Sequence, residues 1–160
     1  MRQLLIAYDG SDLAKAAVRS AGELFPGGGA LVVTVWEPGL SAIATLDSGF
    51  DASGMVRLPP DPALAAEVDK AQERHAATVA GEGARLAGSV GLEAEPHAIP
   101  DEAHVADAIV DLAVSRDVAA VVIGSHGISG LRSHLFGSTA RRVLERCKCP
   151  VVVVRAEDGR

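Results

Sequence analysis

Five short apolar runs mark this chain. Each of the first four is followed by a polar turn or loop and then by apolar residues recurring every three or four positions. Leu4-Leu5-Ile6-Ala7-Tyr8 is the first run, and Asp9-Gly10-Ser11-Asp12 closes it with a turn and cap cluster. Leu13, Ala16, Ala17, Ser20, Ala21 and Leu24 then form one helical face, which Pro26 and three glycines end. Ala30 to Trp36 reads as a second strand, completing a β-α-β unit whose crossover should be right-handed. Residues 37–60 have no clear period and carry Pro38, Gly39, Gly49, Gly54, Pro59 and Pro60. A loop of that length inside one domain is usually functional or mobile. Asp61-Pro62 then has the chemistry of a helix start, Asp as N-cap and Pro at the first position.

Leu64, Val68, Ala71, His75, Val79, Glu82 and Leu86 recur at helical spacing and mark the second helix. Gly81, Gly83 and Gly88 should weaken its second half by about 1 kcal/mol each relative to Ala, and Gly91 should end it. Leu92 to Ile99 reads as a third strand, and Pro96 within it argues for a sheet edge. Asp101 is the expected cap of a helix carrying Val105, Ala108, Ile109 and Leu112. Val118 to Ile123 is the fourth strand. Phe136, Ala140, Val143, Leu144 and Cys147 mark the fourth helix, Pro150 to Val154 the fifth strand, and residues 156–160 a polar tail. Five strands alternating with four helices predict one α/β domain over residues 1–160, a Rossmann-like, doubly wound parallel sheet with helices on both faces.

Composition sharpens that picture. The chain has 160 residues, 48% of them hydrophobic, yet aromatics are only 3%, so the core must be Ala, Val and Leu, as suits a parallel sheet under Ala-rich helices. The formal net charge of −6 disfavours a nucleic-acid partner. Met1 to Ala7 leads straight into a strand, and no apolar run approaches a membrane span. Cys147 and Cys149, one residue apart, read as a poor disulfide pair, with Cys147 a small hydrophobe on the helix face. These features fit a reducing cytoplasm.

The chemistry concentrates after the fourth strand. Val121-Val122-Ile123 runs into Gly124-Ser125-His126-Gly127, nine residues follow, and Gly137-Ser138-Thr139 opens a helix. Strand, glycine turn and helix N-terminus together make an anion site: glycines admit a ligand to the backbone, and the unpaired N–H groups and helix dipole hold negative charge. Ligands of open α/β sheets sit outside the strand ends where strand order reverses. With the first strand central, Tyr8-Asp9-Gly10 lies beside Ile123-Gly124 there, and Val35-Trp36 nearby. Asp9 either accepts hydrogen bonds from a ribose, holds a metal through water, or merely caps the turn with Ser11.

Gly124-x2-Gly127-x9-Gly137-Ser138 matches, residue for residue, the ATP-binding signature of the universal stress protein family. Leu5 to Ser11 looks like that family's first strand and acidic turn, and Cys149 to Val154 is similar to its last strand. The resemblance covers nearly everything but residues 37–60. It implies sheet order 3-2-1-4-5, homodimers paired through the last strand at residues 150–154, and ATP between strands one and four. Carried over by position, Asp9 would contact the ribose or adenine side, with Ala7 and Tyr8 beside it. Val35 would offer backbone groups to adenine, and Ile123 and Gly124 would line the sugar. His126, Gly127, Gly137, Ser138 and Thr139 would surround the phosphates, largely through backbone N–H groups.

Arg132, in the nine-residue loop, either reaches a terminal phosphate or is a solvated loop arginine. His126 and His134 flank that loop but have no third ligand at metal spacing. Arg141, Arg142, Arg146 and Lys148 fit the cation preference of a helix C-terminus better than a nucleic-acid patch. The chain lacks the G-x-x-x-x-G-K-[ST] loop and any recognisable nucleophile triad. The leading expectation is therefore a nucleotide-dependent stress-response module without efficient turnover. Its rivals are a slow ATPase or autophosphorylating protein, with Asp9 holding Mg²⁺ and Ser138 or another hydroxyl as acceptor, and a sensor of AMP or another adenine nucleotide.

Overall fold

A computed structural model describes residues 2–39, 62–101, 104–127 and 137–155. Most of the 37–60 segment, the Asp61 cap, Arg132, His134, Phe136 and the tail lie outside them. Among the described residues nine elements alternate: β1 (Leu4–Ala7), α1 (Asp12–Leu24), β2 (Gly29–Trp36), α2 (Pro62–Ser89), β3 (Glu93–Pro100), α3 (Val105–Ser115), β4 (Ala120–Gly124), α4 (Ser138–Arg146) and β5 (Val151–Val154). The strands form one parallel sheet ordered β3-β2-β1-β4-β5. Pro96 stands on the edge strand β3, where a missing N–H breaks no ladder on the solvent side. Among the described residues no helix is long and apolar enough to cross a membrane.

The period of two along each strand sorts side chains to opposite faces. Leu4, Ile6, Val32 and Val122 pack with Ala14, Ala17, Val18 and Ala21 of α1 and Ala87 of α2. Leu5, Leu31, Val121 and Ile123 pack on the other face with Ile109 and Ala113 of α3 and Ala140 and Val143 of α4. Two helices thus cover each face. Each fully buried Leu, Ile or Val contributes about 1.5–3 kcal/mol of transfer free energy, which explains why the central strands are continuous apolar runs.

One local pattern is qualified and one expectation corrected. Helix α2 does not bury the Leu64–Leu86 stripe along its whole length: Leu64 is 59% exposed, while Val79 and Leu86 pack half-buried against the core. Its buried residues are Ala76, Ala80, Gly83 and Ala87. The reason is closeness. A Cβ at Gly83 would lie 2.7 Å from both Tyr8 Cδ1 and Val32 Cγ1, so glycine is what lets this helix lie flush on the sheet. Nor does Asp101 cap the following helix. His104 is the N-cap of α3, without a side-chain hydrogen bond, while the Asp101 N–H donates to the Trp36 carbonyl at 2.8 Å and closes the end of β2.

Candidate functional site

Strands β2 and β5 flank the central pair β1 and β4, so strand order reverses between β1 and β4, and a crevice opens at their carboxyl ends. On the β1 side the chain leaves the sheet through Tyr8, Asp9 and Gly10. Gly10 takes a φ of +80°, which an L side chain rarely adopts. Asp9 Oδ1 accepts the Ser11 N–H at 3.0 Å, and the Ser11 hydroxyl accepts the Ala14 N–H at 3.1 Å to cap α1. Asp9 thus caps the turn through Oδ1. A Cβ built on Gly127 would lie 2.7 Å from Asp9 Oδ2. The glycine loop after β4 and the carboxylate after β1 thus meet across the switch point.

Tyr8 is buried, and burial raises its phenol pKa, with Lys15 acting weakly the other way. Its backbone is fixed twice: its N–H donates to Val33 O at 2.8 Å, and the buried Thr34 hydroxyl donates to its carbonyl at 2.8 Å. The Tyr8–Val33 bond also sets the direction of β2. Its odd positions turn their backbone groups toward β1, and Val35 does so two residues beyond Val33, the partner of β1's last residue, Ala7. The even position Trp36 turns toward β3. Val35 is thus beside the crevice with its N–H and C=O facing it.

On the β4 side Ile123 and Gly124 are buried. A Cβ on Gly124 would come within 3.0 Å of Leu13 Cβ, so α1 starts directly against the end of β4. Ser125 is the residue the spacing argument missed. It is buried; its N–H donates to Val154 O at 2.7 Å, and its carbonyl accepts the Gly137 N–H at 2.8 Å. Its hydroxyl lies 3.1 Å from His126 Nδ1. One residue therefore ties β4, β5 and the start of α4 together. Its place between Gly124 and His126 was the only sequence signal.

The Gly137 N–H is occupied by that bond, so Gly137 positions α4. The N–H groups of Ser138 and Thr139 begin the helix with no side-chain cap among the described residues. His126 Nε2 is buried without a hydrogen-bond partner among the described residues. An orphaned ring nitrogen beside an uncapped helix start is a donor set suited to phosphate oxygens. The site residues within the described segments, Ala7, Tyr8, Asp9, Val35, Ile123, Gly124, His126, Gly127, Gly137, Ser138 and Thr139, all fall at this end of the sheet. Among the described residues no group of three His, Cys, Asp or Glu is arranged to hold a metal ion.

The basic end of α4 is spent on α3. Arg142 grips Asp107 through Nε at 3.2 Å and Nη2 at 2.9 Å, Arg146 Nε adds a contact at 3.3 Å, and Arg141 pairs with Glu145. Both cysteines are free thiols, and Cys147 packs against the apolar cluster as its place on the helix face predicts. Two residues apart, the side chains of Cys147 and Cys149 lie on the same side of the chain. The chain bends between α4 and β5, and their sulfurs lie 3.0 Å apart.

The model of the universal stress protein family matches residues 1–155. The universal stress protein YxiE of Bacillus subtilis is 29% identical over 154 residues, covering 96% of this chain and 98% of its own length. Two solved structures share the fold. A universal stress protein of Archaeoglobus fulgidus in complex with dAMP superposes with a TM-score of 0.61 at 23% identity, over 96% of this chain and 98% of that one. A universal stress protein family protein of Arabidopsis thaliana with AMP bound gives a TM-score of 0.61 at 14% identity, over 99% and 94%.

Proposed function

The chain belongs to the universal stress protein family, and from that premise we propose that it is a cytoplasmic stress-response module that binds ATP in the β1/β4 crevice and acts as a homodimer. The observation that carries this reading is the meeting of Asp9 and Gly127 across the switch point, with the uncapped start of α4 on the phosphate side. In this reading Ala7, Tyr8 and Asp9 border the ribose, and Val35 offers backbone groups to adenine. Ile123 and Gly124 line the sugar. His126, Gly127, Ser138 and Thr139 face the phosphates, with Gly137 holding the helix start, and Arg132, which lies outside the described residues, is the candidate cation for the terminal phosphate. Mg²⁺ would enter with the triphosphate, and Asp9 is the carboxylate to hold it through water. In this reading the whole chain acts as one domain.

The sequence carries neither a P-loop lysine nor a recognisable nucleophile triad, which favours binding over turnover. A second reading has a specific support: the Archaeoglobus and Arabidopsis relatives were solved with nucleoside monophosphates. AMP would fill the adenine and ribose positions and leave the outer phosphate donors unused.

Calorimetric titration of nucleotide-stripped protein separates the two readings. ATP with Mg²⁺ is expected to bind in the micromolar range and more tightly than AMP, because Ser138, Thr139 and His126 engage the outer phosphates. Equal affinity for both would move the assignment to AMP. No binding of either would reduce the glycine loop to architecture.

A further inference from the structure

At the opposite end of β5 from the crevice, α4 stops at Arg146. Cys147 is its C-cap, and the chain turns through Lys148 and Cys149 into Pro150 and the strand. Residues two apart in extended chain share a side, and with Cys147 extended at φ −70° and ψ 131° both sulfurs lie on one side. There they pack against the cluster containing Leu5, Val121, Val143 and Val151. Both side chains are half-buried and within reach of solvent, and their sulfurs are 3.0 Å apart.

That separation decides between two uses of a dithiol. Two thiolates on a tetrahedral zinc ion stand about 3.8 Å apart, and no third ligand joins them among the described residues. A disulfide needs the sulfurs about 1 Å closer than they are, a distance that small side-chain rotations cover. We propose that Cys147 and Cys149 form a reversible redox site that closes to an intramolecular disulfide on reaction with a low-molecular-weight disulfide.

The order of events follows from the surroundings. Burial pushes the Cys149 thiol up to about 11, and the neighbouring Cys147 adds to the shift. Burial disfavours the Cys149 thiolate, so we take Cys147 as the attacking sulfur, the assignment that Cys147→Ser tests. Its thiolate attacks one sulfur of the reagent RSSR. The S–S bond breaks, one RS⁻ leaves and takes up a proton, and Cys147 carries a mixed disulfide. The negative charge that opposed ionisation of Cys149 is then gone. Cys149 loses its proton and attacks the Cys147 sulfur, and the second RS⁻ leaves. Two thiols have given up two electrons and two protons, and RSSR has become two RSH. The closed ring fixes the turn that feeds β5, which couples the redox state to an edge strand without involving the nucleotide crevice.

The test uses the full chain and glutathione disulfide. After oxidation and alkylation of remaining thiols, mass spectrometry of the peptide holding both cysteines should show the loss of two hydrogens and no alkyl group. The chain should remain single on a non-reducing gel, and dithiothreitol should restore both thiols. Cys149→Ser should stop at the mixed disulfide with one glutathionyl group. Cys147→Ser should react about tenfold more slowly or worse. Wild-type protein that accumulates the mixed disulfide, links between chains, or keeps two free thiols in excess reagent would overturn the proposal. Equal reaction rates of Cys147→Ser and wild type would overturn the assignment of the attacking sulfur.

Discussion

At position 127 the side chain is a hydrogen because a carbon there would stand 2.7 Å from Asp9 Oδ2. Gly127 itself is exposed, so Gly127→Val leaves the core untouched and acts only by pushing the Asp9 carboxylate aside or the loop outward. We expect a folded protein, by circular dichroism and an unchanged unfolding midpoint, whose ATP affinity falls about tenfold or more, roughly 1.4 kcal/mol or above. Wild-type affinity in that variant would place the phosphates elsewhere. Glycines at 124, 127 and 137 were legible because their requirement is local: a turn, a close approach, a helix start. Ser125 and Thr34 were not. Ser125 matters through Val154 and Gly137, and Thr34 through Tyr8, twenty-six positions away in sequence. Partners brought together only by the sheet leave no spacing to read. Arg132 was singled out by its chemistry alone, and its place falls outside the described residues.

Elements announced themselves by period, and all nine exist where apolar spacing put them, within a few residues. What period cannot give is which stripe of a long Ala-rich helix meets the sheet. In α2 the larger apolar residues Leu64 and Val68 suggested one face, yet the buried one is Ala76, Ala80, Gly83 and Ala87. Hydrophobic size and closeness of approach compete, and closeness wins where the opposing surface is already filled by Tyr8 and Val32. Between α3 and α4 the contact is ionic, and it has a pH signature. The Arg142 fork holds the Asp107 carboxyl below its ordinary value, against a smaller opposing effect of desolvation, with Arg146 assisting. A carboxyl with a depressed folded-state pKa contributes its full stabilisation above the unfolded value, about 4, and loses it as pH falls through the folded value. Asp107→Asn should therefore lower the unfolding midpoint at pH 7, with the gap to wild type closing progressively below about pH 4. A gap that persists unchanged at pH 2 would mean that Asp107 acts through packing and not through charge.

For the whole molecule, the strand order β3-β2-β1-β4-β5 came from family resemblance, because a run of valines does not say which neighbour it will choose. The same order leaves β5 on an edge, and hydrogen bonding says which of its groups face out. Pro150 O accepts from Val121 N–H, and Val154 O accepts from Ser125 N–H, so the even positions serve β4. Val151 and Val153 turn their N–H and C=O groups to the outer edge. An unblunted edge of four valines, half-buried on both faces, is a strand that invites pairing with another chain. If two copies join there, as the proposed homodimer requires, Val153→Pro removes an outward N–H and puts a ring in the partner's path while sparing every bond to β4. The variant should fold and keep its nucleotide site. In sedimentation at micromolar concentration it should run as a monomer where wild type runs as a dimer. The control is Val152→Pro, which removes an N–H facing β4. It should cost about 1–3 kcal/mol of stability by leaving a buried acceptor unpaired. A Val153→Pro protein that stays dimeric would move the interface off β5 and onto a helical face, and β5 would then be an edge kept from pairing by some other means.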